Sequence, residues 1–514
     1  MKPFVCLRCR LAARHGGAAA AAAAARWPRA PLARAFSSSP KPVPNVKHVR
    51  AHADRYAQAC RDRHYAALAD HPARIQALAD EAAQLQKALD APRTEIKSVQ
   101  REIARMAADP DARDGELDAL RAQAKELKDA SQGLVDRRES CVEQIRQLAL
   151  SLPNLSFSET PVGDIPRIVG YINYDPSNPP SHISSPSRNH VSIGTALGLL
   201  DFASAATSSG WGWYYLINEG ALLEQALVQY ALSVAMRRGG WTPVAPPTLV
   251  YADIAEACGF QPRDANNEQQ IWAIEQSEKD KSKPQRCLTG TAEIPLAAMY
   301  AGREIPAEKL PMRYIGVSRC YRAEAGARGV DTKGLYRVHE FTKVELFAWA
   351  DDFSETTIDN TPATTMTSSS LFAEMLSIQT EILTSLNLPC RILEMPTGDL
   401  GASAARKQDI EALFPSRLNS SAPAATDPVF DTNGWGELTS ASICTDYQSR
   451  RLGTRVRSGS TMRFPHTVNG TAVAVPRVLA AILEHGWDEE RGVVVVPEVL
   501  RSWMGGLETI GRKA

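Results

Sequence analysis

Residues 321–341 read YRAEAGARGVDTKGLYRVHEF. Two alternating runs, around Cys320–Glu324 and Tyr336–Phe341, flank a loop rich in charge and in glycine (Gly326, Gly329, Gly334). The pattern predicts two strands joined by a long connection. In a strand, residues two apart share a face, so Arg322 and Glu324 are expected side by side on one pleated surface, with Arg337 and His339 following the loop. A guanidinium fork next to a carboxylate is costly if it is merely buried. It makes sense where a ligand carrying both phosphate and hydrogen-bond donors lies across the sheet.

Working outward, further strands are expected around Tyr314–Ala323, Tyr336–Trp349, Arg391–Met395 and Val493–Val496. Asn218 is placed to cap a helix whose apolar face is Leu222, Leu223, Leu227, Tyr230 and Val234. Gly239 and Gly240 end it, and WTPVAPPTLV (241–250) continues as an extended segment. Hydrophobic runs follow one another without intervening helices, which points to an α+β fold with an antiparallel sheet rather than a doubly wound one. SSAPAATDPV (420–429) reads as a surface insertion.

Upstream the character changes. Ile75, Leu78, Ala82, Leu85, Leu89, Ile96, Val99, Ile103 and Met106 keep one heptad phase, and DPDARDG (109–115) breaks it. A second ladder follows: Leu117, Leu120, Ala124, Leu127, Ser131, Leu134, Cys141, Ile145, Leu148 and Leu152. Two such helices fold back as an antiparallel coiled-coil hairpin, an arm roughly 50 Å long at about 1.5 Å per residue. Pro92 lies on the first seam and is expected to kink the helix or break it after Asp90. Taken by itself, the arm fits a solvated coiled coil for oligomerisation or spacing.

A chain of 514 residues is too long for one ordinary core. Its 58 basic and 58 acidic residues balance, but unevenly. No acid precedes Asp54, whereas Lys2, Arg8, Arg10, Arg14, Arg26, Arg29 and Arg34 fall in an Ala-rich opening that ends in RAFSSS. An Arg-rich, acid-free leader with serines reads as a mitochondrial transit peptide over residues 1–36, the alternative being a basic low-complexity tail. Without it, 51 basic residues face 58 acidic ones, a formal charge of −7 that does not by itself mark a nucleic-acid binder. No strongly apolar run is long enough to span a membrane. Cys6 and Cys9 form a lone CxxC, weak as a zinc signal, and the other seven cysteines fit free thiols.

No GxxxxGK[ST], no GxGxxG after a strand and no GxSxG occurs; His339–Glu340 begins like HExxH, but position 343 is Lys. Phosphate chemistry must therefore use arginine side chains on a sheet.

At this point the motifs resemble a known family. WTPVAPPTLV, YRAEAG…RVHEF and GTAVAVPR (470–477) stand in the order of motifs 1, 2 and 3 of class II aminoacyl-tRNA synthetases. TAEIPL (291–296), RAEAGARGVDTKGLYRVHEFTKVE (322–345), TGDLGAS (397–403), HTVNGTAVAVPR (466–477) and the closing VPEVLRSWMGGLETIG resemble the seryl-tRNA synthetases, as does the two-helix arm. The likeness covers the chain from about residue 50 onward. It implies a transit peptide (1–36), a tRNA-binding arm (45–152), a linker (153–209) and a class II catalytic domain (210–514). It also implies L-serine, ATP, Mg²⁺ and tRNA(Ser) as reactants and partners, and a homodimer joined through residues 222–250. The implied location is the mitochondrial matrix.

The same resemblance assigns ATP to Arg322, Ala323, Glu324, Val338, His339, Glu437, Leu438, Thr439, Ser440 and Arg477, with Arg322 and Arg477 catalytic. Glu437 and Ser440 are the implied Mg²⁺ ligands. Serine falls to Thr291, Ala292, Glu293, Arg322, Glu345 and Thr471. Chemically these suit their tasks: a planar fork for the α-phosphate, a carboxylate acceptor for the adenine amino group, and oxygen ligands for a hard cation. The sequence departs from the family at Thr471 (often Ser), at ELTS for EISS, and at Glu340 for Gln. Pro476 replaces a small Gly before the motif 3 arginine, and proline lacks the amide donor. Two rivals are an amino-acid:carrier-protein ligase, which shares the core but lacks the arm, and an inactive paralogue acting as a binding protein.

Overall fold

The computed structural model describes residues 41–108, 114–184, 188–260, 270–324, 334–352, 366–418 and 433–512. The leader, Cys6 and Cys9, Gly326 and Gly329, and the 420–429 insertion lie outside the described residues.

The arm consists of α1 (His71–Ala107) and α2 (Asp114–Ser151). Every residue of the two expected ladders is buried or half-buried, with Ile75, Leu85, Leu89 and Val99 facing Ser131, Cys141 and Ile145 along the seam. At about 1.5 Å per residue, the 37 residues of α1 span roughly 55 Å. The helix runs unbroken through Pro92, so of the two expected outcomes, a kink or a break after Asp90, the break does not occur; packing along α2 outweighs the one lost backbone bond.

The arm's base carries its own small core of Val49, Cys60, Ile75, Ile145, Ala149 and Leu152. Buried guanidinium groups tie it to the rest of the protein. Arg63 donates to the carbonyls of Asn154 and Gly401, while Arg451 donates to those of Leu150 (2.8 Å) and Leu152 (3.3 Å). Arg451 thus satisfies a carbonyl that the end of α2 leaves unpaired.

The remainder is built on an eight-stranded sheet. In chain order its strands are β1 (Arg167–Ile172), β2 (Trp241–Val244), β3 (Met312–Tyr321), β4 (Glu340–Ala350), β5 (Cys390–Glu394), β6 (Arg406–Leu413), β7 (Trp435–Thr445) and β8 (His466–Ala474). Spatially they run β1-β5-β6-β7-β8-β4-β3-β2, and every pair is antiparallel except β2 with β3. The fold is α+β, as expected. Residues 153–209, expected as a connection, supply the edge strand β1 and the short helices His190–Ala196 and Phe202–Ser208.

Helices α3 (Glu219–Arg237), α4 (Ser368–Ser385) and α5 (Val475–His485) share one core with the sheet. Strand β4 shows how the faces divide: Val344, Leu346 and Ala348 join that core, while Lys343, Glu345, Phe347 and Trp349 alternate onto the other side. In α3 the buried face is Leu223, Leu227, Tyr230 and Val234, but Leu222 is exposed, one position off the stripe. Asn218 stands at the N-cap without capping; at φ +50° its amide turns to the Gly198 carbonyl.

Candidate active site

Where strands β3, β4, β7 and β8 meet the start of α5 lies a cleft. Arg322, Glu324, Val338, Glu437, Leu438, Ser440, Thr471 and Arg477 all line it, joined by Tyr336, Arg337, Phe341, Lys343, Ala474 and Pro476. The expected constellation from four separate chain segments therefore meets in one place.

The local geometry of the first pair differs from the expectation. Strand β3 ends at Tyr321, and Glu324 has φ +49°, so strict alternation does not carry through Arg322 to Glu324. Both side chains still reach the cleft. The Arg322 amide bonds the His339 carbonyl (2.9 Å), and its guanidinium lies over the Phe341 ring at 5.3 Å. Glu324 receives Arg337 Nη1 at 3.2 Å. Residues 336–339 likewise precede β4 rather than form part of it.

Glu437 and Arg477 form a half-buried ion pair on the cleft wall. Arg477 Nη1 donates to both the carboxylate (3.1 Å) and the carbonyl (3.0 Å) of Glu437, and Nε donates to the Tyr336 carbonyl. Burial alone would raise the Glu437 pKa, but the charges of Arg477, Lys407 and Arg322 overcome it and hold the carboxyl well below its usual range. The Tyr336 ring lies under both Arg417 (4.1 Å) and Arg477 (4.7 Å). Gly436 makes room for it, since a Cβ there would sit 2.7 Å from the ring. Pro476 occupies the first turn of α5, where an amide hydrogen has no helical acceptor, so the substitution for glycine leaves Arg477 directed into the cleft.

Beside Thr471 is a second, buried polar group. Glu345 accepts Lys343 Nζ at 2.5 Å and Thr291 Oγ1 at 3.0 Å. Glu293 accepts Gln448 Nε2 at 2.6 Å, and Gln448 in turn accepts Thr467 Oγ1 at 2.7 Å. Burial, reinforced by Glu345, pushes Glu293 up to about 7. Burial raises Glu345 as well, against the pull of Lys343.

Other expected residues stand behind the lining. Thr291, Ala292, Glu293 and Glu345 are nearly fully buried under the cleft wall. Thr439 points away from it, its hydroxyl buried without a hydrogen-bond partner. Ala323 contributes its backbone, bonding the Gln270 carbonyl. His339 is enclosed by Trp211, Trp213 and Trp272, with Nδ1 3.0 Å from the Arg322 carbonyl, a supporting position for the motif. Lys343, Tyr336, Phe341 and Gln448 were not expected. Lys343 could have been found by the alternation that singled out Arg322, since it stands two residues before Glu345; Gln448 leaves no such signal.

Comparison with known proteins agrees with this geometry. The family model for the "tRNA synthetase class II core domain (G, H, P, S and T)" matches residues 274–486, and that for the "Seryl-tRNA synthetase N-terminal domain" matches 44–156. A mitochondrial serine–tRNA ligase of Saccharomyces cerevisiae is 40% identical over 389 residues, 75% of this chain and 78% of its own. The mitochondrial serine–tRNA ligase of Schizosaccharomyces pombe is 37% identical over 464 residues, 90% of this chain and 88% of its own. Among solved structures, the seryl-tRNA synthetase of Pyrococcus horikoshii complexed with ATP superposes with a TM-score of 0.74 at 29% identity, over 92% of this chain and 100% of that one. With the arm and the core domain both matched, this chain belongs to the seryl-tRNA synthetase family of class II aminoacyl-tRNA synthetases.

Proposed function

We propose that the chain is a serine–tRNA ligase of mitochondrial translation: serine and ATP give seryl-adenylate and pyrophosphate, and the seryl group then passes to the 3′ end of tRNA(Ser). The observation that carries this reading is the meeting of Arg322, Glu324, Glu437, Ser440 and Arg477 in one cleft, next to the buried carboxylates Glu293 and Glu345. An inert paralogue has no need to keep that set.

In this reading the substrate carboxylate attacks the α-phosphorus, so no protein nucleophile is required and catalysis is positioning plus electrostatics. Arg322, which has no carboxylate at ion-pair distance among the described residues, takes charge developing on the α-phosphate. Glu324 accepts from the adenine amino group, Phe341 offers the base an aromatic face, and Arg477 takes the γ-phosphate. Glu437 and Ser440 suit Mg²⁺, because Glu437 is kept ionised and the two offer hard oxygens on one wall. The ion would screen phosphate charge there.

Thr291, Glu293, Glu345 and Thr471 form the serine pocket. A site that hydrogen-bonds the substrate hydroxyl leaves buried groups unpaired when alanine enters, a large penalty. Threonine must be excluded sterically. The arm is assigned to tRNA, read by shape and backbone. A homodimer through residues 222–250 is supported by the apolar side chains exposed there, Leu222, Met236 and Leu249. The basic leader supports delivery to the matrix; 1–36 and 45–152 remain proposed divisions, while 153–209, which supplies the edge strand β1, is grouped with 210–514 rather than forming a separate linker.

The deciding experiment is serine-dependent exchange of pyrophosphate into ATP over all twenty amino acids, using protein lacking residues 1–36. Exchange with serine alone is expected; equal exchange with alanine or threonine would overturn the specificity.

A further inference from the structure

The two carboxylates of the serine pocket are partnered differently. Glu345 has a cation, Lys343, and a hydroxyl, Thr291. Glu293 has no ion-pair partner among the described residues; it is held by neutral amides, Gln448 at 2.6 Å and, with a smaller effect, Asn469. With both carboxylates ionised, these three charged groups carry a net formal charge of −1, which one ammonium group cancels. A buried carboxylate without a donor is strongly disfavoured in its charged form. The amide at 448 supplies the donor without cancelling the charge.

Gln448 is itself fully buried, on the short helix Tyr447–Leu452. Thr467 Oγ1 donates to its carbonyl oxygen, which aims the NH₂ end at Glu293 rather than away from it. The second acceptor of that NH₂ is the Cys258 carbonyl, at 3.4 Å.

We propose that Gln448, oriented by Thr467, is a positioning residue for amino-acid activation: it holds Glu293 as an uncompensated carboxylate, so that the pocket takes up the substrate's ammonium group. The inference rests on the serine-pocket reading above.

The groups around Glu293 set the sign of the pH effect. Glu345 and Lys343 face it from β4, Cys444 from β7, Asn469 from β8, and Cys258 from the turn after Ala252–Ala257. Burial and Glu345 favour the protonated form, while Lys343, Gln448 and Asn469 oppose it. Removing the Gln448 donor therefore lets Glu293 hold its proton to higher pH, and serine affinity should begin to fail at higher pH.

The test measures KM for serine and for ATP from pH 6 to pH 9 by pyrophosphate exchange, in wild type, Gln448→Met, Gln448→Glu and Thr467→Val. Loss of a hydrogen bond to a charged group predicts a serine KM raised about ten- to a hundredfold in Gln448→Met, an unchanged ATP KM, and a rise in serine KM that starts at higher pH than in wild type. Gln448→Glu can share one proton with Glu293 and so keep a single negative charge. It should recover serine binding as pH falls, the opposite trend to Gln448→Met. Thr467→Val keeps the amide but not its aim, and should show the Gln448→Met pattern more weakly; it carries the test if circular dichroism shows Gln448→Met to be unfolded. Equal changes in both KM values, or unshifted pH profiles, would overturn the proposal. Wild-type protein without serine-dependent exchange would instead remove the functional reading beneath it.

Discussion

Glu437 and Ser440 stand three residues apart on β7 yet line the same cleft, because Leu438 is an extra residue in the ladder. Thr439 pairs with Ile410 and Glu437 with Glu411, so Leu438 has no counterpart on β6. On a regular strand, positions three apart face opposite ways; a bulge re-aims one of them. The device recurs on β8. Thr471 pairs with Glu345 and Val473 with Val344, Ala472 is the surplus residue, and Thr471 and Ala474 share the cleft.

Glu437→Gln keeps the shape of that wall and removes its charge. Arg477 then loses its carboxylate partner, and the proposed cation site loses its anionic oxygen. Adenylate formation should slow by about a hundred- to a thousandfold in kcat, the usual effect of losing one charge-stabilising group, with serine KM little changed. Pre-steady-state pyrophosphate exchange checks this. An unaltered kcat would exclude Glu437 from the machinery.

The raised pKa of Glu293 makes a prediction for the wild-type protein. With its pKa near 7, the carboxyl is ionised near pH 8 and increasingly protonated below about 7, and under the proposal above only the ionised form draws in the substrate ammonium. Serine KM should therefore rise as pH falls through that value, by at most about tenfold per pH unit for a single group. The same shift acts on folding. A carboxyl whose folded pKa lies above its unfolded one binds more protons when folded, so its contribution to stability falls as pH rises from about 4.5 to about 7. Added serine should offset that loss, which thermal unfolding at two pH values would measure.

What the sequence disclosed follows from what periodicity can carry. The arm was legible almost to the residue, because heptads such as Ile75–Leu85–Leu89 are local and depend on one partner helix. The charged groups Arg322, Glu324, Glu437 and Arg477 were legible through family resemblance, and the cleft gathers them. The bulges at Leu438 and Ala472 were not, since an unpaired residue depends on the neighbouring strand's register. Nor was the amide at 448: a buried glutamine differs from a surface one only through contacts with Glu293 and Thr467, far away in the chain.

Gly334 offers a test of how the motif 2 segment re-enters the cleft. Its φ is +69°, and a Cβ there would lie 2.2 Å from His190 Nε2. That nitrogen accepts the Leu335 amide at 3.1 Å, while Nδ1 meets Glu484 at 2.5 Å, so the imidazole links α5 to the residues just before Tyr336 and Arg337. Gly334→Ala should destabilise the fold by about 2 kcal/mol, from the left-handed backbone and the displaced ring. It should also raise ATP KM. Unchanged values for both would mean that this link does not fix the cleft.

The arm's role separates from the chemistry by truncation. Replacing residues 86–138 with a short turn retains the base core of Val49, Cys60, Ile75, Ile145 and Ala149, and leaves the contacts of Arg63 and Arg451 intact. The catalytic sheet keeps its seating, so serine-dependent pyrophosphate exchange should be preserved. If the distal hairpin grips tRNA, kcat/KM for charging should fall by about a hundredfold, equivalent to roughly 3 kcal/mol of lost binding. The surviving charging should also depend less steeply on salt, because the phosphate contacts made by the arm's lysines and arginines are gone. Charging at the wild-type rate and with the wild-type salt dependence would assign the hairpin to spacing or assembly, the role its balanced charge permits on its own.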